Sequence, residues 1–205
     1  MRKGNLQIKW IAEVRDKNGK LTFKKTGKSK SLLRNFMYWL QGKFQITARA
    51  MSSTWTAPDT TNTARNFAWN TSDQKEGAYG YFGGNSANSL FGLRVGELDT
   101  AVSPYDYELK ALIPHGTGVN QMLYGAQTVE AVTVTGQNTT FRVSRPFTNS
   151  SGVTITVKEI GAVFVITDLS YIERNLCYLR DVLPSSVPVP DGSTFTLRYT
   201  FTVTA

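Results

Sequence analysis

The sequence predicts a mainly β protein: an antiparallel β-sandwich or jelly roll with an N-terminal hairpin and one helix. Three observations carry the prediction. Residues 141–165, FRVSRPFTNSSGVTITVKEIGAVFV, read as strand, turn and strand. Residues 195–203, FTLRYTFTV, alternate apolar and polar side chains almost strictly. One segment alone, residues 29–44, carries a strong helical period.

In the first of these, Phe141, Val143 and Arg145 share one parity and Arg142 and Ser144 the other, the period of a half-buried strand. Thr148-Asn149-Ser150-Ser151-Gly152 is a dense turn signal. Val153, Ile155 and Val157 resume the alternation. It gives way after Ile160 to a nearly continuous apolar run, as expected of a strand covered on both faces.

From the N-terminus, residues 6–14 alternate as a strand, and Asp16-Lys17-Asn18-Gly19-Lys20 follows as a turn, Asn-Gly being a strong hairpin signal. The return strand becomes polar at Lys24, Lys25, Lys28 and Lys30, which makes the hairpin an edge or an extended arm. In the predicted helix, 29–44, Leu32, Leu33, Phe36, Trp39 and Leu40 form one stripe. Ser29 or Ser31 would cap it and Gly42 would end it. Met37 and Tyr38 widen its apolar surface, so it packs on its own sandwich or docks on a neighbouring subunit.

Residues 47–89 change character. They are rich in Thr, Asn, Ser, Ala and Gly, hold Trp55 and Trp69, and include the cluster Tyr79-Gly80-Tyr81-Phe82-Gly83-Gly84. Such a long connection is uncommon in a compact domain. It is expected to order on a neighbouring chain, to plug its own core, or to offer Trp55, Trp69, Tyr79, Tyr81 and Phe82 to a glycan. After Leu90 the pattern is all β, with strands at 90–95, 121–126, 128–135, 139–147, 153–166, 173–182 and 194–204. The organisation is thus a basic hairpin plus helix at 1–46, an insertion at 47–89 and a sandwich at 90–205 with its own core. No internal repeat is evident.

Charge is uneven. Residues 1–49 hold 13 Lys/Arg against Glu13 and Asp16, a net of +11; residues 50–205 hold 10 Lys/Arg against 13 Asp/Glu, a net of −3, which together give +8. The basic block suits nucleic acid, an acidic protein surface or a solvated face. No run of 18 apolar residues exists, and the basic start leads into no apolar leader, so neither membrane span nor secretory leader is expected. The single Cys177 excludes an internal disulfide framework and fits a reducing compartment.

Catalytic and metal chemistry fail by counting. His115 is the only histidine and Cys177 the only thiol, too few for a zinc site with three or four ligands. There is no G-x-S-x-G elbow and no phosphate-binding G-x-x-x-x-G-K-[ST] loop. Glu97, Asp99, Asp106 and Glu108 form an acidic cluster of the kind calcium needs, but Pro104 and Tyr105 break the spacing. Arg142, Arg145 and Arg180 either line a positive face or pair with Glu159 and Asp181, and pairing is preferred. Neither enzyme activity nor cofactor is expected.

Ordered phrases after residue 90 carry a resemblance. Gly92-Leu93-Arg94-Val95-Gly96 leads to Thr100-Ala101-Val102-Ser103, then to Ile113-Pro114-His115-Gly116. Next come the phrase from Arg145 to Gly161, with Phe147-Thr148-Asn149, Ser151-Gly152, Ile155, Val157 and Glu159, then Arg180-Asp181-Val182-Leu183 and the stretch from Val189 to Thr200. This succession resembles virion structural proteins of tailed bacteriophages over about residues 90–205. The resemblance implies a non-enzymatic particle component of tail, collar or head surface, assembled in the host cytoplasm. Its partners would be other copies of itself and other virion proteins, with nucleic acid (through residues 1–49) and a glycan as alternatives. The expected subunit interface comprises Lys24, Lys25, Lys28, Lys30, Phe36, Tyr38, Trp39, Trp55, Trp69, Tyr81 and Phe82.

Overall fold

The computed structural model of the chain describes residues 5–29, 31–44, 53–69 and 82–204, apart from the side chains of 42–44, 53–54 and 68–69. The expected antiparallel strands are present. The large sheet has the order β2 (Leu21–Lys28), β1 (Asn5–Arg15), β12 (Thr194–Thr204), β9 (Asn138–Thr148). Three short strands, β6 (Leu123–Tyr124), β7 (Thr128–Val129) and β8 (Thr133–Thr135), run in succession along the free side of β9. A smaller sheet has the order β11 (Glu173–Val189), β10 (Ile155–Thr167), β5 (Gly92–Gly96). The hairpin of β3 (Ser53–Pro58) and β4 (Ala64–Trp69) and the helix α1 (Arg34–Phe44) complete the described elements.

The chain passes between the sheets at 149–154 and 190–193, and Asn149 ties the two crossings together. Its amide nitrogen donates to the carbonyls of Val153 (2.7 Å) and Val189 (2.8 Å), and its amide oxygen accepts from the Ser151 backbone and hydroxyl. The residue is fully buried, so this satisfaction is required.

The hairpin is an edge, but only through β2. Strand β1 pairs with β12 along its whole length, from Asn5–Thr204 to Arg15–Thr194. Its inward side chains Ile8, Trp10, Ala12 and Val14 belong to the main core. The predicted boundary before residue 90 therefore does not enclose a separate core: the strand beside β12 comes from residues 5–15. The helix also differs from expectation. It starts at Arg34, not Ser29, because Leu32 bridges Leu179 and the Leu33 N–H donates to the Tyr178 carbonyl at 2.9 Å. Pairing with the edge of β11 takes the backbone that the apolar stripe assigned to a first helical turn.

Part of the predicted insertion is ordered structure. Trp55 and Phe67 stack across the β3–β4 hairpin at 4.5 Å and pack with Ile166, Leu176 and Tyr178 of the smaller sheet. Phe36, Tyr38 and Trp39 of α1 lie against the same cluster.

One turn is built three times, at Asp16–Lys20, Asp59–Thr63 and Asp168–Ile172. Each aspartate's Oδ1 accepts the N–H groups two and four residues on, at 2.8–3.1 Å. The residue three along has positive φ: Gly19, Asn62 and Tyr171. In the last two, an arginine six residues on locks Oδ2, Arg65 at 2.7 Å and Arg174 at 2.6 Å. Burial pushes both carboxyls up, but these hydrogen bonds outweigh it and hold Asp59 and Asp168 below their ordinary range.

Two buried arginines fix the long connections. Arg145 lies on the inner face of β9, fully buried, with all five N–H groups used on carbonyls. Nε donates to Gly125 (2.9 Å), Nη1 to Phe91 and Leu93 (3.0 and 3.1 Å), and Nη2 to Asn85 and Asn88 (2.7 and 2.6 Å). Its guanidinium also sits 4.8 Å from the Tyr124 ring centroid. Burial pulls its pKa down to about 10. Arg180 binds Glu159 (2.7 Å), Asp106 (2.9 Å) and the Thr100 carbonyl (2.9 Å). The pairing expected of Arg180 with Glu159 is present; Arg145 instead pairs with backbone.

Arg145→Met leaves five carbonyls, that of Leu93 in a buried bond, short of a donor and should lower stability by about 3–5 kcal/mol in urea titration. Arg142→Met, on the exposed face, should change it by no more than about 0.5 kcal/mol. A fragment of residues 90–205 lacks β1 and should show no cooperative unfolding transition by circular dichroism, in contrast to the whole chain.

Candidate functional site

Register shows how the two sheets part at one end. On the inner face of the large sheet, Val14, Phe195 and Phe147 form one row across β1, β12 and β9; Ala12, Leu197 and Arg145 form the next; Trp10, Tyr199 and Val143 the third. All nine are buried. In the fourth row Ile8 is buried but Phe201 and Phe141 are only partly covered, and in the fifth Leu6 and Val203 are 49% and 50% exposed. The cause lies opposite. Beyond Ala162 the smaller sheet turns Ile166, Leu176 and Tyr178 towards α1 and the β3–β4 hairpin, and Phe164 packs against both cores. The last two rows of the large sheet thus face a gap, with Phe164 and Tyr178 on its far side.

A groove of about 550 Å³ fills the gap. One wall is the Phe141–Phe201 pair, stacked at 4.6 Å with planes 2° apart. The other is a three-ring stack, Phe82 on Phe164 at 4.2 Å and Phe164 on Tyr178 at 4.4 Å. Phe36 and Trp39 of α1 close that side, and no charged side chain lines the groove among the described residues. Phe82 is delivered there by Gln127, whose amide nitrogen donates to the Phe82 carbonyl while its oxygen accepts the Leu93 N–H at 2.7 Å. Gly92 permits this close approach: its φ is +86°, and a Cβ there would lie 2.9 Å from the Gln127 oxygen. Such a site can take apolar groups by desolvation, and burial has pushed the hydroxyl of Tyr178 in its lining well up.

The structure gathers Phe36, Trp39 and Phe82 of the expected interface at this groove. Tyr38 and Trp55 go instead to the second core, and Trp55 keeps only 6% exposure. Its face and that of Phe82 are occupied by protein rings, which takes them from the set offered to a glycan. Lys24 pairs with Glu13 at 2.9 Å and Lys25 reaches the Ser185 hydroxyl at 2.6 Å. Lys28 lies on the outer face beside Lys9. Lys30, Tyr79 and Tyr81, and the side chain of Trp69, lie outside the described residues.

The residues weighed for chemistry are held apart. His115 Nδ1 accepts the Tyr124 N–H at 3.1 Å within its own turn. Asp106 is held by Arg180 and Lys110, and Glu108 by Arg94 at 2.7 Å, while Asp99 is exposed. Among the described residues no group of three His, Cys, Asp or Glu is placed to hold a metal. Cys177 is buried, and burial pushes its thiol up. Among the described residues no helix is long and apolar enough to cross a membrane. The groove itself had no signature in sequence. Alternation marks Phe141, Phe201 and Val203 as inward, but only the register of strands far apart in the chain reveals that they line a gap.

The chain matches no protein-family model, no curated protein and no solved structure.

A solvatochromic apolar dye such as Nile red should bind the native chain at one site. Val203→Glu, at the half-exposed lip, should weaken that binding roughly tenfold without moving the melting temperature by more than a few degrees, since surface changes cost little.

Proposed function

We propose that this chain is a non-enzymatic structural protein that works by subunit association, as a component of a tailed-bacteriophage particle. The observation that carries the reading is the apolar groove at the open end of an otherwise tightly stapled sandwich. Exposed Leu6, Val129, Val132, Val134 and Val203 continue the groove outward. Contiguous apolar surface of this kind is a contact signature. The sequence phrases that resemble phage virion proteins support it in a particular way. They contain Arg94, Arg145, Asn149, Glu159, Arg180 and Asp181, all buried. The resemblance therefore concerns the frame, and the contact surfaces are this chain's own.

Antibodies raised against the purified chain should label particles released from cells that carry its gene, seen by immunogold electron microscopy. Particles free of label and of its peptides would overturn the reading.

A second reading is favoured by the outer face of the large sheet. Lys28, Lys9, Thr200 and Arg142 form one row across β2, β1, β12 and β9, and Arg198 and Arg15 lie on the same face. Glu13 and Glu130 neutralise Lys24 and Arg142. The face carries no aromatic ring for base stacking among the described residues, so phosphate contacts alone would hold a nucleic acid. Binding to duplex DNA should then fall steeply with salt, and Lys9→Glu with Lys28→Glu should abolish it; salt-independent binding, or none, would leave that face a solvated one.

A further inference from the structure

The β3–β4 and β10–β11 hairpins end in the same turn but present different tips. At β3–β4 the tip is Thr60, Thr61, Asn62 and Thr63, with Asn62 at φ +61°. Asparagine tolerates that conformation. At β10–β11 the left-handed position is Tyr171, at φ +62°. A bulky side chain is strained there, and folding alone would favour Asn or Gly. Tyr171 is nonetheless 68% exposed, flanked by Leu169 and Ile172, each 49% exposed. Three large apolar side chains thus project from one turn.

The tip is rigid. Asp168 closes it from within and is locked by Arg174. The neighbouring hairpin braces it from outside: the Leu169 N–H donates to the Asn66 carbonyl, and the Thr60 N–H donates to the Asn175 carbonyl, each at 2.9 Å. It cannot fold back into its own groove. Phe164, in the groove wall, lies five residues before Leu169 along the chain, about 17 Å at the rise of a strand. The β10–β11 ladder fixes that separation.

We propose that Leu169, Tyr171 and Ile172 form a knob that seats in the apolar groove of a second copy of this chain. The chemistry of the two surfaces matches: each is apolar and uncharged, and each is preformed, so little ordering is needed on contact. The groove's volume of about 550 Å³ is of the size that encloses a compact apolar group. Knob and groove are different surfaces, so the contact is heterologous and builds a closed ring or an open filament. The proposal rests on the assembly reading above and names the partner of its groove.

Analytical ultracentrifugation of the full chain tests it with Tyr171→Asn, Val203→Glu and an equimolar mixture of the two. The wild type should self-associate, and each variant alone should be at least tenfold weaker. The mixture should form a one-to-one heterodimer, because the intact knob of V203E meets the intact groove of Y171N. Tyr171→Asn should melt no lower than the wild type, which separates lost association from lost folding. A wild type monomeric up to about 100 µM, variants that associate as the wild type does, or a mixture without heterodimer would each overturn the knob-in-groove contact. Labelled particles with any of these results would overturn the contact and leave the particle reading standing.

Discussion

The described structure depends on one buried guanidinium. Arg145 has five N–H groups, and each donates to a backbone carbonyl. Four of those carbonyls belong to residues 85–93, a stretch with little regular pairing of its own. A charged group buried without a carboxylate is tolerable only when its donors are all satisfied. That condition forces the connection to wrap around the guanidinium. Gly84 is part of the same fit, since a Cβ there would lie 2.6 Å from Nη1. The wrapped connection in turn positions β5, the edge of the smaller sheet, and sets Phe82 in the groove wall. Arg180 repeats the device for residues 99–111 through Asp106 and Glu159.

The groove arises from a mismatch in what the two sheets have to cover. The large sheet runs eleven residues along β1, β9 and β12. The smaller sheet packs closely on it as far as Ala162; beyond that, Phe164 is shared with a second core built with α1 and the β3–β4 hairpin. Two cores share one sheet, and among the described residues the large sheet's last rows are incompletely covered. In a protein that acted alone, burial would favour filling that space. Under the assembly proposal, that space has a use.

Much of this was legible in the sequence, and what was hidden has physical reasons. Alternation located most strands after residue 90 closely, although it joined β7 and β8 into one strand at 128–135 and ended 173–182 seven residues short of β11. It also put Arg145 on the same parity as the buried Val143. It could not show that carbonyls, scattered over forty residues, would be the arginine's partners. The polar return strand of the hairpin hid the interior place of β1, because an edge strand and its neighbour are read as one unit. The helix start is displaced since Leu32 and Leu33 fit a helical stripe as well as a strand bridge. The repeated turn is hidden because its instances share one aspartate, and its key conformation is held by Gly19, Asn62 and Tyr171 in turn.

The central claim, that this chain works through the open end of its sandwich, is tested most directly by hydrogen exchange on free and assembled protein. The account predicts new protection at residues 6–8, 36–39, 139–143 and 201–203 and at the hairpin tip 168–172. Protection confined to the outer face of the large sheet, around Lys9, Lys28 and Arg142, with the open end unchanged, would contradict it.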